Sequence, residues 1–246
     1  MSSVYETGHD KNVAHFEQIL NFSIGYGAAY NPSKIAIQIP ALQTIHTDGL
    51  SVLSLVSVAS SNFISATNLR YDEYLPIKAL CTRIINALEA TNASAAFIRD
   101  AKTINRKIQG SRVKKVINDT DPENPVIPSE NTISTSQQSF DKILSNFRQL
   151  VDLLATEPLY TPNETELQVL TLNAIANTLA SRNTAVIETH VALSNTRIQR
   201  DFVLYNEESG LVTTAYEVKK YVKSVFGASS PQYKQISGIK FTRPKK

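Results

Sequence analysis

Apolar residues recur at steps of three and four along most of this chain, the period of helices with one buried face. Val13, Phe16, Ile19, Leu20 and Ile24 form one such face. They predict a helix over roughly 12–24, ended by Gly25-Tyr26-Gly27. Phe140, Ile143, Leu144, Phe147, Leu150, Leu153 and Leu154 predict another over roughly 138–155. Pro32 and Pro162, behind Asn31 and Thr161, read as first-turn prolines of two long helices reaching about residues 68 and 205. Pro40 should kink the first of these or delay its start, and Asp48-Gly49 is a further candidate break. The clearest stripe is Leu211, Ala215, Val218, Val222 and Val225, which Ile77, Cys81, Ile84 and Leu88 repeat. Short fourth helices are predicted over roughly 93–107 and after Ser230-Pro231.

These elements recur in order, which predicts an internal duplication. Phe16, Glu17, Ile19 and Leu20 match Phe140, Asp141, Ile143 and Leu144. Tyr30-Asn31-Pro32 matches Tyr160-Thr161-Pro162, and Ile39, Leu42 and Ile45 match Val169, Leu172 and Ile175. Tyr71 and Glu73 match Tyr205 and Glu207, and an Arg-x-Lys-Lys run closes each half, at Arg112 and at Arg243. The expected fold is all-α: two tandem, diverged helical-bundle repeats of three to four helices each, over 1–115 and 139–246. Residues 116–138 between them hold Pro122, Pro125 and Pro128 and four acids without a base. They read as an exposed acidic linker.

Composition narrows the class further. Hydrophobic residues at 42% and charged residues at 19% are ordinary globular values. Eight Gly and ten Pro are few for the many turns of an all-β chain. The lone Cys81 permits no intramolecular disulfide and reads as a small core residue. No basic start followed by an apolar run suggests a secretory signal. Serines interrupt the most apolar window, Leu50 to Ile64. No transmembrane segment and a cytoplasmic location are therefore expected.

Candidate chemistry is sparse. His9, His15, His46 and His190 have no His or Cys at ligand spacing, and no phosphate-cradling or nucleophile-elbow motif occurs. The carboxylate pairs Asp72-Glu73 and Glu207-Glu208 read as acids near helix starts, where the dipole favours them. No catalytic residue, metal site or cofactor is predicted. More informative are two basic segments, each closing a repeat. Residues 99–115 hold seven Lys or Arg against one Asp, and residues 218–246 hold eight and no acid.

The candidate interaction residues are Arg99, Lys102, Arg106, Lys107, Arg112, Lys114 and Lys115 in the first segment. In the second they are Lys219, Lys220, Lys223, Lys240, Arg243, Lys245 and Lys246. With a net charge of only +3, these bases read first as a solvated helix face and tail. The two similar bundles imply a non-enzymatic structural or protein-interaction module whose partner is protein, itself or another. The alternative is a nucleic-acid-binding accessory protein that uses the same basic segments.

Overall fold

The computed structural model describes residues 6–110 and 138–244. Regular structure among them is entirely helical. The helices are α1 (Glu6–Gly25), α2 (Ile39–Tyr74), α3 (Ile77–Glu89), α4 (Ala95–Gln109), α5 (Phe140–Ala155), α6 (Val169–Tyr205), α7 (Leu211–Phe226) and α8 (Pro231–Ser237). Of the expected linker, only Gln138 falls among the described residues.

The chain forms two compact units that do not follow its order. One comprises residues 1–64 and 188–246, the other residues 65–187. In the first, Val13, Phe16, Ile19 and Leu20 of α1 pack with Leu42 of α2 and Leu204 of α6. Leu211, Val218 and Val222 of α7 and Ile236 of α8 complete that cluster. In the second, Ile77, Cys81, Ile84 and Leu88 of α3 pack with Ile104 and Ile108 of α4. Phe147, Leu150 and Leu154 of α5 and Leu172 and Leu179 of α6 close that core. Helices α2 and α6, of 36 and 37 residues, contribute to both units.

The apolar stripes read from the sequence are buried or half-buried except at two of their ends, where Ile24 and Val225 are 46% and 44% exposed. Cys81, Ile84 and Leu88 are 0% exposed, as are Ala215, Val218 and Val222. The helix ends follow capping chemistry. Ser94, Ser139 and Ser230 each accept a hydrogen bond from the backbone N–H three residues on, at 3.2, 3.3 and 3.1 Å. Gly110 ends α4 in the left-handed region at φ +76°.

Two expectations need correction. The long helices begin at Ile39 and Val169, seven residues after Pro32 and Pro162. The intervening residues form a turn that each tyrosine closes. The Tyr30 hydroxyl donates to the Ile37 carbonyl at 2.6 Å, and the Tyr160 hydroxyl donates to the Leu167 carbonyl at 3.0 Å. A one-turn 3₁₀ helix lies inside each turn, at Ile35–Ile37 and Thr165–Leu167. Gln38 and Gln168 then donate back to the Pro32 and Pro162 carbonyls, at 3.2 and 3.5 Å. Pro40 therefore sits in the first turn of α2, where its missing N–H leaves no bond unmade.

The second correction is at Asp48-Gly49, where α2 continues unbroken. A Cβ on Gly49 would come within 3.0 Å of Leu211 Cδ1 and 3.3 Å of Val13 Cγ2. The glycine serves close packing against α1 and α7 rather than a turn.

Burial raises the pKa of Tyr160 from 10.0 to about 12, and that of Tyr30 moves the same way. Below pH 10 neither form is ionised, so the tyrosines' contribution is complete. Above it the unfolded chain loses protons that the folded chain keeps, and stability falls. Replacing Tyr160 by Phe should lower stability at pH 7 by about 1.5 kcal/mol, because the buried Leu167 carbonyl loses its donor. Thermal unfolding should then show a midpoint lower by roughly 3–6 °C. The same variant should lose less stability than the parent between pH 10 and 12.

Candidate interaction surfaces

The structure divides the basic candidates between the two units. Arg99, Lys102, Arg106 and Lys107 are exposed on α4, in the unit of residues 65–187. Lys219, Lys220 and Lys223 lie on α7, and Lys240 and Arg243 on the segment after α8, in the other unit. Arg112, Lys114, Lys115, Lys245 and Lys246 lie outside the described residues.

On α4, Ala101, Ile104 and Ile108 face the core, and the bases stand off that face. A groove of about 750 Å³ runs beside them. Thr82, Ile85 and Asn86 of α3 line one wall, and Ile98, Arg99, Lys102, Asn105 and Arg106 of α4 line the other. The Lys102 ammonium pairs with Glu89 across it. Arg106 donates to the Thr103 hydroxyl at 2.8 Å. Among the described residues Arg99 makes no ion pair.

Two bases in the other unit are committed internally. Lys219 is buried, its Nζ donating to the Ile239 and Ser237 carbonyls. The ammonium also lies 5.7 Å from the centre of the Tyr216 ring and 5.6 Å from that of Phe241. Burial pushes its pKa down from the ordinary lysine value. Arg243 donates to the Tyr205 carbonyl at 3.2 Å and the Thr213 hydroxyl at 2.8 Å. Asn12, almost fully buried, grips the same segment. Its Nδ2 donates to the Thr242 carbonyl at 2.7 Å and its Oδ1 accepts from the Thr242 N–H at 3.0 Å. Lys219 and Arg243 thus hold the last described residues against α1, α6 and α7. Lys220, Lys223 and Lys240 remain exposed.

The histidines are dispersed. His9 contacts the Tyr205 hydroxyl at 2.6 Å, His15 the Lys240 carbonyl at 2.7 Å, and His190 the ring of Phe63. Among the described residues no three His, Cys, Asp or Glu side chains group to hold a metal ion. Of the acid pairs, Glu73 binds Arg182 at 3.1 Å, and Glu207 and Glu208 are exposed in the turn before α7. Cys81 is fully buried and its thiol is pushed up to about 12, so it carries no thiolate at neutral pH.

The surface feature missed in the sequence is apolar. On α6, in the unit of residues 1–64 and 188–246, Val191, Ile198 and Phe202 are 50%, 66% and 61% exposed. Steps of seven and four place them on one helix face, away from Leu193 and Leu204, which are buried. On α2, Leu50, Leu55, Val58 and Ile64 are also exposed. Residues 49–69 carry no charged side chain.

By length and composition, the helical stretch Ile39–Glu89 is long and apolar enough to cross a membrane, and only 28% of its most apolar window is buried. Serines interrupt this apolar run, and one of them, Ser61, donates to the Ser57 carbonyl at 3.0 Å.

No family model matches the chain, and no curated protein or solved structure matches it.

Two outcomes follow from these placements. Iodoacetamide at pH 8 should leave Cys81 unmodified in the folded protein and label it fully in denaturant. Replacing Lys219 by Met keeps the aliphatic stem but removes the donor to two carbonyls. Amide exchange over residues 239–244 should quicken by roughly 10–30-fold, the equivalent of about 1.5–2 kcal/mol for a charge-assisted hydrogen bond. Unchanged exchange would mean that packing alone holds the segment.

Proposed function

We propose that this chain is a non-enzymatic protein-interaction module built on an internal duplication. The interaction reading is carried by the exposed stripe Val191, Ile198 and Phe202. Isolated exposed apolar residues are common on soluble proteins, but a row on one helix face leaves a surface suited to a partner. The groove beside α4 is open rather than enclosed, and the described titratable groups are dispersed or paired. These features support binding rather than chemistry.

The duplication is supported by the matching tyrosine turns, where hydroxyl and carbonyl are seven residues apart in each. Matching serine caps on α4 and α8 support it as well. On this reading the repeats have exchanged halves within one chain. The early helix of each repeat, α1 or α5, packs with the late helices of the other, α7 with α8 or α3 with α4.

A second reading, nucleic-acid binding, draws on the four exposed bases of α4. It requires affinity that falls steeply as salt rises.

A photo-crosslinking residue placed at position 198 or 202 in the native host should give covalent adducts heavier than the chain alone. The same residue at Glu208, exposed in the turn before α7, should give none. Absence of adducts at both 198 and 202 would remove the stripe as an interface. Ile198→Asp and Phe202→Asp should change the isolated protein's stability by no more than about 0.5 kcal/mol, because both side chains are mainly in solvent.

A further inference from the structure

We propose that the groove between α3 and α4 is a docking site for an acidic amphipathic helix of a protein partner. This rests on the interaction reading above but uses a different surface, in the unit of residues 65–187.

The groove combines an apolar floor with a basic rim. Ile85 and Ile98 lie along its bottom, the first buried and the second half-buried. Arg99, Lys102 and Arg106 follow one another at steps of three and four, so they line one edge over about two turns. Asn86 and Asn105 add amides that can donate or accept. Side-chain bonds tie α3 to α4 beside the groove. Glu89 reaches Lys102, and Gln109 donates to the Lys78 carbonyl at 2.8 Å and to Asn105 Oδ1 at 3.1 Å. The rim runs about two turns, the length over which apolar anchors at i, i+3, i+4 and i+7 of an incoming helix can enter.

Charge selects the occupant. The rim presents three bases against the single carboxylate of Glu89. Glu89 shows which chemistry the rim accepts, since it already places a carboxylate on Lys102. Arg99 and Arg106 have no carboxylate partner among the described residues. A helix with glutamates flanking its apolar stripe would supply them while burying that stripe on Ile85 and Ile98.

A nucleic acid fits less well. The groove lining holds no aromatic ring on which a base could stack, and three bases neutralise few phosphates. Its isoleucine floor would gain nothing from a phosphate backbone.

The test is fluorescence anisotropy on the full chain with three labelled probes. One is a synthetic peptide with Leu at i, i+3, i+4 and i+7 and Glu between. The others are a scrambled peptide of the same composition and an oligothymidylate. The ordered peptide should bind the parent protein, and the scrambled one at least ~10-fold more weakly, because only the ordered one presents an apolar face. Arg99→Glu with Arg106→Glu should weaken the ordered peptide by ~10-fold or more. Ile98→Ser should do so too, with helix content by circular dichroism unchanged in both variants.

Equal binding of the scrambled peptide would overturn the proposal in favour of bare charge attraction. Tighter binding of the oligothymidylate, with displacement of the peptide, would overturn it in favour of nucleic acid. Peptide binding that survives both groove variants but is lost in Ile198→Asp would overturn the groove while keeping the interaction reading, with the α6 stripe as the site. No binding of the ordered peptide would also overturn the groove, and leaves the crosslinking result at positions 198 and 202 to decide the interaction reading separately.

Discussion

Helix α1 carries an apolar face that α2, its neighbour in sequence, covers only in part. Val13, Phe16, Ile19 and Leu20 are buried because α7 and α8 from the far end of the chain close over them. Removing such a face from water is the main favourable term in folding, and it is complete here only when α7 and α8 meet α1. The other contacts of this unit follow from that closure. Gly49 lets α2 approach both α1 and α7, and the segment after α8 is drawn against Asn12 and Lys219. The polar contacts there are directional and specify where the segment lies, while the apolar cluster supplies most of the burial.

The second unit solves the same problem with other parts. Helix α5 lies next to α6 in sequence, yet much of its face is covered by α3 and α4, which precede it. In each unit a helix that opens one segment packs with helices that close another. The tyrosine turns make this arrangement possible. Each holds a fixed length of chain, outside any α-helix, before a long helix begins, through a hydroxyl bonded to a carbonyl. That bond is buried, so losing it would leave an unpaired carbonyl and not merely one contact fewer.

The surface left after these cores form is unusual in its distribution of charge. Several exposed bases have acid partners, Lys34 with Glu217, Arg83 with Glu166 and Lys102 with Glu89. The middle of α2 has no charge at all, and α6 carries a row of large apolar side chains in solvent. Exposed apolar surface on an ordered helix keeps its solvation cost until something covers it, whereas paired surface charges contribute little either way. The physical weight of the surface therefore lies in its apolar rows and in the groove beside α4, which joins an apolar floor to a basic rim.

By itself the sequence determined the helical class, the buried faces and most helix ends. Those features depend on residues three or four apart, or on a cap beside its own helix, so their physics is local. Cys81, Val218 and Ser230 could be placed without any distant contact. The starts of the long helices were not legible, because a tyrosine hydroxyl seven residues before its acceptor has no periodic signature. Nor was the difference between Lys219 and Lys220, adjacent bases on α7 of which one is buried beneath the Phe241 ring and the other exposed. Pairing of α1 with α7 and of α5 with α4 was decided by tertiary structure alone. Apolar faces of similar width are interchangeable partners in sequence, and only chain geometry and side-chain fit select among them.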